Sequence, residues 1–118
     1  MYVAASYAVP SVFADASALV EMFCQSALPH AVGWGKVSVI HFDAHADTGD
    51  FQFGSLIGHG LPMRRLIESG ACRGDRFLQL GLRGYWPEPP TLQWMAEQQM
   101  RSFEMHEIVQ RGLEACLE

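Results

Sequence analysis

The stretch "KVSVIHFDAHADTGD" (36–50) constrains this chain more than any other. It joins a β-branched, nearly continuous apolar run to a cluster of Asp43, His45, Asp47 and Asp50. A run of that kind suits a strand buried on both faces of a parallel sheet. In open α/β sheets, ligands sit beyond the carboxyl ends of the strands. The acids therefore stand where such a fold places its chemistry.

The rest of the chain supplies matching elements. "PMRRLIESG" (62–70) carries Pro62 where a first helical turn tolerates it and Gly70 where a helix stops. "RFLQLGL" (76–82) reads as a second buried strand. "EPPTLQWMAEQQM" reads as a helix capped by Thr91, with Leu92, Met95 and Ala96 on one stripe. "RSFEMHEI" (101–108) is expected to form a short third strand, followed by a helix with Val109, Leu113 and Cys116. Upstream, "DASALVEMFCQSAL" (15–28) fits a helix with Asp15 as its cap. Strands alternating with helices give an α/β class, with a parallel sheet joined by right-handed crossovers.

Composition narrows the function. The net charge of -5 offers no basic surface for nucleic acid or anionic lipid. No apolar run is long enough to span a membrane, and the start lacks the positive region of a signal peptide. Cys24, Cys72 and Cys116 form no C-x-x-C pair and read as reduced packing thiols, which suits a cytoplasmic location. All eight Lys and Arg residues lie at position 36 or later, whereas the first 35 carry only Asp15 and Glu21 as charges. Residues 1–32 therefore stand apart as an atypical segment, with a shifted reading frame or an alternative start as the expected origin.

Side chains at alternate positions of an extended chain share one side. If the strand ran on through Asp47, then Asp43, His45 and Asp47 would converge just past its end. Two carboxylates and an imidazole suit Mn, Mg, Fe or Zn. Without a cation to neutralise them, such groups would repel. The competing reading is a solvated turn built on Asp47 and Gly49. His41 shares the alternating face but precedes the strand end, so it is expected behind the ligands or in packing.

"VSVIHFDAHADTGD" resembles the central metal motif of the ureohydrolase family, which includes arginases and agmatinases. "GSLIGHGLPMRRLIESG", "FLQLGLRGYWP" and "MRSFEMHEI" resemble its following segments in order, so the resemblance covers residues 33–118. It implies a partial, truncated piece of that family's three-layer α/β/α parallel sheet. It also implies a pair of Mn2+ ions with a bridging hydroxide that attacks a guanidinium carbon. Asp43 matches the bridging ligand, His45 a ligand of one ion and Asp47 a ligand of the other. His59 matches the histidine that shuttles a proton near the leaving amine, a task suited to its pKa.

"LRGYWP" is similar to the agmatinase-like branch, because arginases carry an aspartate where this chain has Gly84. Agmatine, giving putrescine and urea, is the expected substrate, ahead of guanidinobutyrate and guanidinopropionate. Arg83, Tyr85 and Trp86 are either packing groups or substrate contacts. The family's Gly-Gly-Asp-His-Ser motif is missing upstream, where "SALVEMF" stands, and its Ser-x-Asp-x-Asp motif is missing downstream. Half of the ligand set is thus absent. The chain is expected to be inactive alone, though of a homo-oligomeric family. The alternative is a non-catalytic fragment or partner subunit of a full-length ureohydrolase.

Overall fold

A computed structural model of the chain describes residues 33, 35–56, 58–84 and 87–118. The expected helix over 15–28, and Tyr85 and Trp86, lie outside the described residues.

Three strands, β1 (Val37–Phe42), β2 (Cys72–Leu82) and β3 (Arg101–Glu104), form a parallel sheet in that order. Between β1 and β2 runs α1 (Pro62–Glu68), and between β2 and β3 runs α2 (Pro89–Glu97). After β3 come α3 (Met105–Arg111) and α4 (Leu113–Leu117). The α/β expectation holds.

The helix boundaries follow local chemistry. Pro62 opens α1, where its missing N–H costs nothing, and Gly70 just beyond it takes the left-handed φ of +81° that ends the helix. The expected cap at Thr91 is corrected. α2 starts at Pro89 with Glu88 in the cap position, and Thr91 lies buried inside it. Two successive prolines with preset φ start the helix before the threonine can. The third strand is also shorter than expected. The Glu107 carboxylate accepts the Glu104 N–H at 3.0 Å, so α3 begins at Met105.

β2 begins at Cys72, four residues earlier than its apolar run suggests, and pairs with β1 from Val37↔Cys72 onward. Gly74 explains why pattern alone misses this start. A Cβ there would lie 2.2 Å from the Gln98 carbonyl oxygen, so only glycine lets the two backbones approach.

Register assigns the two faces. Val39 pairs with Phe77 and His41 with Gln79, so these four side chains share one face. There Val37, Val39 and Phe77 pack with Leu66 and Ile67 of α1. Ile40 pairs with Leu78 on the other face, and Leu80 there pairs with Phe103. Arg111 of α3 lies over the Phe103 ring, 5.1 Å from its centre. Helices thus cover both sides of the sheet, and β1 and β2 deliver their carboxyl ends side by side.

Candidate metal centre

β1 stops at Phe42, and Asp43 begins a turn rather than a further stretch of strand. Its Oδ1 accepts the His45 N–H at 2.9 Å, a local bond by which aspartate draws the chain out of extension. Asp47 then adopts a left-handed φ of +53°, which takes the backbone out of extension a second time. The expected i, i+2, i+4 convergence of an extended chain therefore does not form.

The turn produces a different cluster. Ligand-capable atoms of His41, Asp43 and Asp47 all lie within 4.8 Å of one another. His41 Nε2 stands 3.7 Å from Asp43 Oδ2. His45 is on the other oxygen of the same carboxylate, with Nδ1 3.5 Å from Oδ1, and its side chain is 58% exposed. Asp43 is thus flanked by one imidazole on each oxygen, and Asp47 stands beside it.

A closed loop brings in His59. The Gly49 N–H donates to the Gly60 carbonyl at 2.9 Å, and the Met63 N–H donates to the Asp47 carbonyl at 3.0 Å. Arg65 binds Asp50 at 2.8 Å across the same loop. These bonds tie residues 47–50 to residues 60–65, and the exposed His59 lies near enough to Asp47 to favour its charged form.

Electrostatics single out Asp47. Burial, and then the negative charge of Asp43, push its carboxyl up to about 6, against smaller opposing effects of His45 and His59. A carboxylate crowded in this way by a second one is a group that a cation would relieve. The donor set fits a divalent ion of the harder kind: two carboxylates with imidazoles around them and, among the described residues, no Lys or Arg paired with either carboxylate. His41 is the opposite case. Burial lowers its pKa despite the neighbouring Asp43, which keeps the ring neutral at pH 7.

Sequence reasoning placed His41 behind the site and did not single out Gln79. Gln79 is fully buried, and its Nε2 lies 2.6 Å from the Ala46 carbonyl oxygen and 3.2 Å from His41 Nδ1. The available signal was one amide inside the apolar strand "FLQLGL". Gly84, on the chain leaving β2, packs against His45: a Cβ there would lie 2.8 Å from the imidazole Cδ2. Arg83 turns back to the Gly81 carbonyl at 3.0 Å.

Residues 18–118 match the sequence model of the arginase family, a match that begins inside the segment 1–32 set apart by composition. The chain is 38% identical over 83 residues to a guanidinobutyrase of Pseudomonas aeruginosa, covering 70% of this chain and 26% of that protein. It is 42% identical over 62 residues to a mitochondrial agmatinase of Gallus gallus, covering 51% and 18% respectively. Among solved structures, the proclavaminate amidino hydrolase from Streptomyces clavuligerus superposes with a TM-score of 0.69 at 26% identity, over 86% of this chain and 31% of that one. The chain thus spans 26% and 18% of the length of these two curated relatives.

Proposed function

The chain belongs to the arginase family, and on that footing we propose that it carries the Asp43–Asp47 half of the manganese centre of an agmatinase-like guanidino hydrolase. The observation that supports this most is that ligand-capable oxygens of Asp43 and Asp47 lie within 4.8 Å of each other, beside His45. Asp43, His45 and Asp47 are the residues that would hold manganese. Bound there, the metal supplies Lewis acidity and brings the pKa of water toward neutrality.

The chain's own residues do the rest. The paired carboxylates give the site the negative potential that draws in a guanidinium cation. Hydrolysis adds water at the guanidino carbon, and the bond from that carbon to the alkyl-bearing nitrogen breaks. The departing amine needs a proton, and in this reading His59, exposed on its loop beside Asp47, gives it.

Agmatine is the leading substrate, yielding putrescine and urea. Gly84 after Arg83 favours this branch, and the relatives include proteins named agmatinase, guanidinobutyrase and guanidinopropionase. Guanidinobutyrate and guanidinopropionate are next. The remaining ligands belong to motifs this chain does not carry, so the reading holds it inactive by itself and the intact form homo-oligomeric. A cytoplasmic place is part of the same reading. Among the described residues, no helix is long and apolar enough to cross a membrane.

The test is a Mn2+ titration of the purified chain followed by electron paramagnetic resonance, with urea release measured for the three guanidino compounds. Binding of Mn2+ that disappears in Asp47→Ala, without urea release, is the expected result. Absence of binding at millimolar Mn2+ would remove the metal reading. Urea production by the chain alone would remove the claim of inactivity.

A further inference from the structure

The buried amide of Gln79 has a single satisfactory orientation. Its Nε2 lies 2.6 Å from the Ala46 carbonyl oxygen, and an amide rotated end for end would press two acceptor oxygens together at that distance. One N–H of Gln79 therefore donates to Ala46, and the second points at His41 Nδ1, 3.2 Å away. Gln79 Oε1 accepts no hydrogen bond among the described residues, so both polar roles of this side chain are carried by its donors. An imidazole nitrogen that receives a hydrogen bond must present its lone pair. The proton of neutral His41 then sits on Nε2, the atom that faces Asp43 Oδ2 at 3.7 Å.

The ring is held from two sides. His41 and Gln79 are partners in the β1–β2 register, and Phe77 meets the imidazole edge-on with its ring centre 6.0 Å away. The same amide also holds the Ala46 carbonyl, and so fixes the turn that presents Asp47.

We propose that Gln79 is a positioning residue, which sets the His41 tautomer with its proton on Nε2 so that the N–H aligns the Asp43 carboxylate toward Asp47. His41 then acts through Asp43 and does not offer a lone pair to a metal. The tautomer part stands on geometry alone. Only the consequence for metal affinity rests on the manganese reading.

The test uses the full chain with 15N-labelled histidine. Long-range 1H–15N correlation spectra distinguish an Nε2–H from an Nδ1–H imidazole at His41. The expected result is Nε2–H in the wild type and, in Gln79→Glu, an imidazolium protonated at both nitrogens, because the new carboxylate accepts at Nδ1 while Asp43 still accepts at Nε2. Mn2+ affinity should fall about 10- to 100-fold in Gln79→Glu, as for other residues that orient metal ligands. Gln79→Met, which keeps volume but removes both donors, should weaken Mn2+ binding to a similar degree and serves if the glutamate variant does not fold. An Nδ1–H tautomer in the wild type overturns the proposal without any variant. So does a neutral Nε2–H ring retained in Gln79→Glu, or Mn2+ affinity unchanged in both variants. If the wild type binds no Mn2+, the metal reading fails while the spectra still decide the tautomer.

Discussion

Asp43 Oδ1 accepts the backbone N–H of His45 at 2.9 Å, and this one bond takes the chain out of β1 and into the candidate site. The same carboxylate has one duty as turn acceptor and, in the proposed metal centre, a second and charged one toward a cation. Substitution separates them. Asp43→Asn keeps an acceptor oxygen and loses the charge, so its urea midpoint should stay near that of the wild type while Mn2+ binding disappears. Asp43→Ala loses both, with a further stability cost of about 1 kcal/mol. Urea unfolding curves and Mn2+ titrations of the two variants check this.

Asp47 makes stability depend on pH in the unusual direction for an acid. Its carboxyl titrates near 3.8 when unfolded and at about 6 when folded, because burial and Asp43 resist its charge. The folded state holds the proton more tightly, so Asp47 contributes stability at low pH that is lost as pH rises from 4 to 6. The full difference corresponds to about 3 kcal/mol, and partial exposure of the side chain reduces it to about 1 kcal/mol. Metal-free wild type should therefore lose stability relative to Asp47→Asn between pH 4 and pH 7, as read from urea midpoints. A flat difference between the two proteins would contradict this account.

Gly84 bears on His45 through space. An added Cβ would sit 2.8 Å from the imidazole, and the exposed ring would have to swing aside. Gly84→Ala should weaken Mn2+ binding about 10-fold and leave the thermal midpoint nearly unchanged, because His45 carries little of the packing. Metal titration and thermal unfolding of the same sample separate the two effects.

Phe77 joins the core to the site, since it packs among Val37, Val39 and Leu66 and meets His41 edge-on. It is 1% exposed, so Phe77→Ala should cost about 3–5 kcal/mol. Leu92, half exposed on α2, should cost less than about 0.5 kcal/mol on truncation. Urea unfolding of both variants tests the contrast.

Cys72 should behave as a packing group. Burial and the nearby Asp75 charge push its thiol up to about 11, so almost no thiolate exists at pH 7.5. Alkylation of the Cys72 peptide, followed by mass spectrometry, should proceed only after denaturant is added. Rapid labelling of the native chain would show that the β1–β2 pair opens.

The sequence by itself determined the α/β class, the β1 strand, the helix between Pro62 and Gly70, and the placing of acids at a strand end. Each is written in short-range chemistry: runs of apolar β-branched residues, prolines and glycines at helix ends, and aspartates following a strand. The tertiary structure decided which groups meet. Asp43 bent the chain where alternation alone would have kept it extended, so His41 stands with Asp43 and Asp47 while His45 flanks the other carboxylate oxygen. Gln79 reaches His41 only because β2 pairs with β1 in a particular register, and His59 returns to Asp47 only because its loop closes on backbone bonds. Such contacts join residues distant along the chain, and their geometry depends on strand register and loop closure, which no local pattern of side chains specifies.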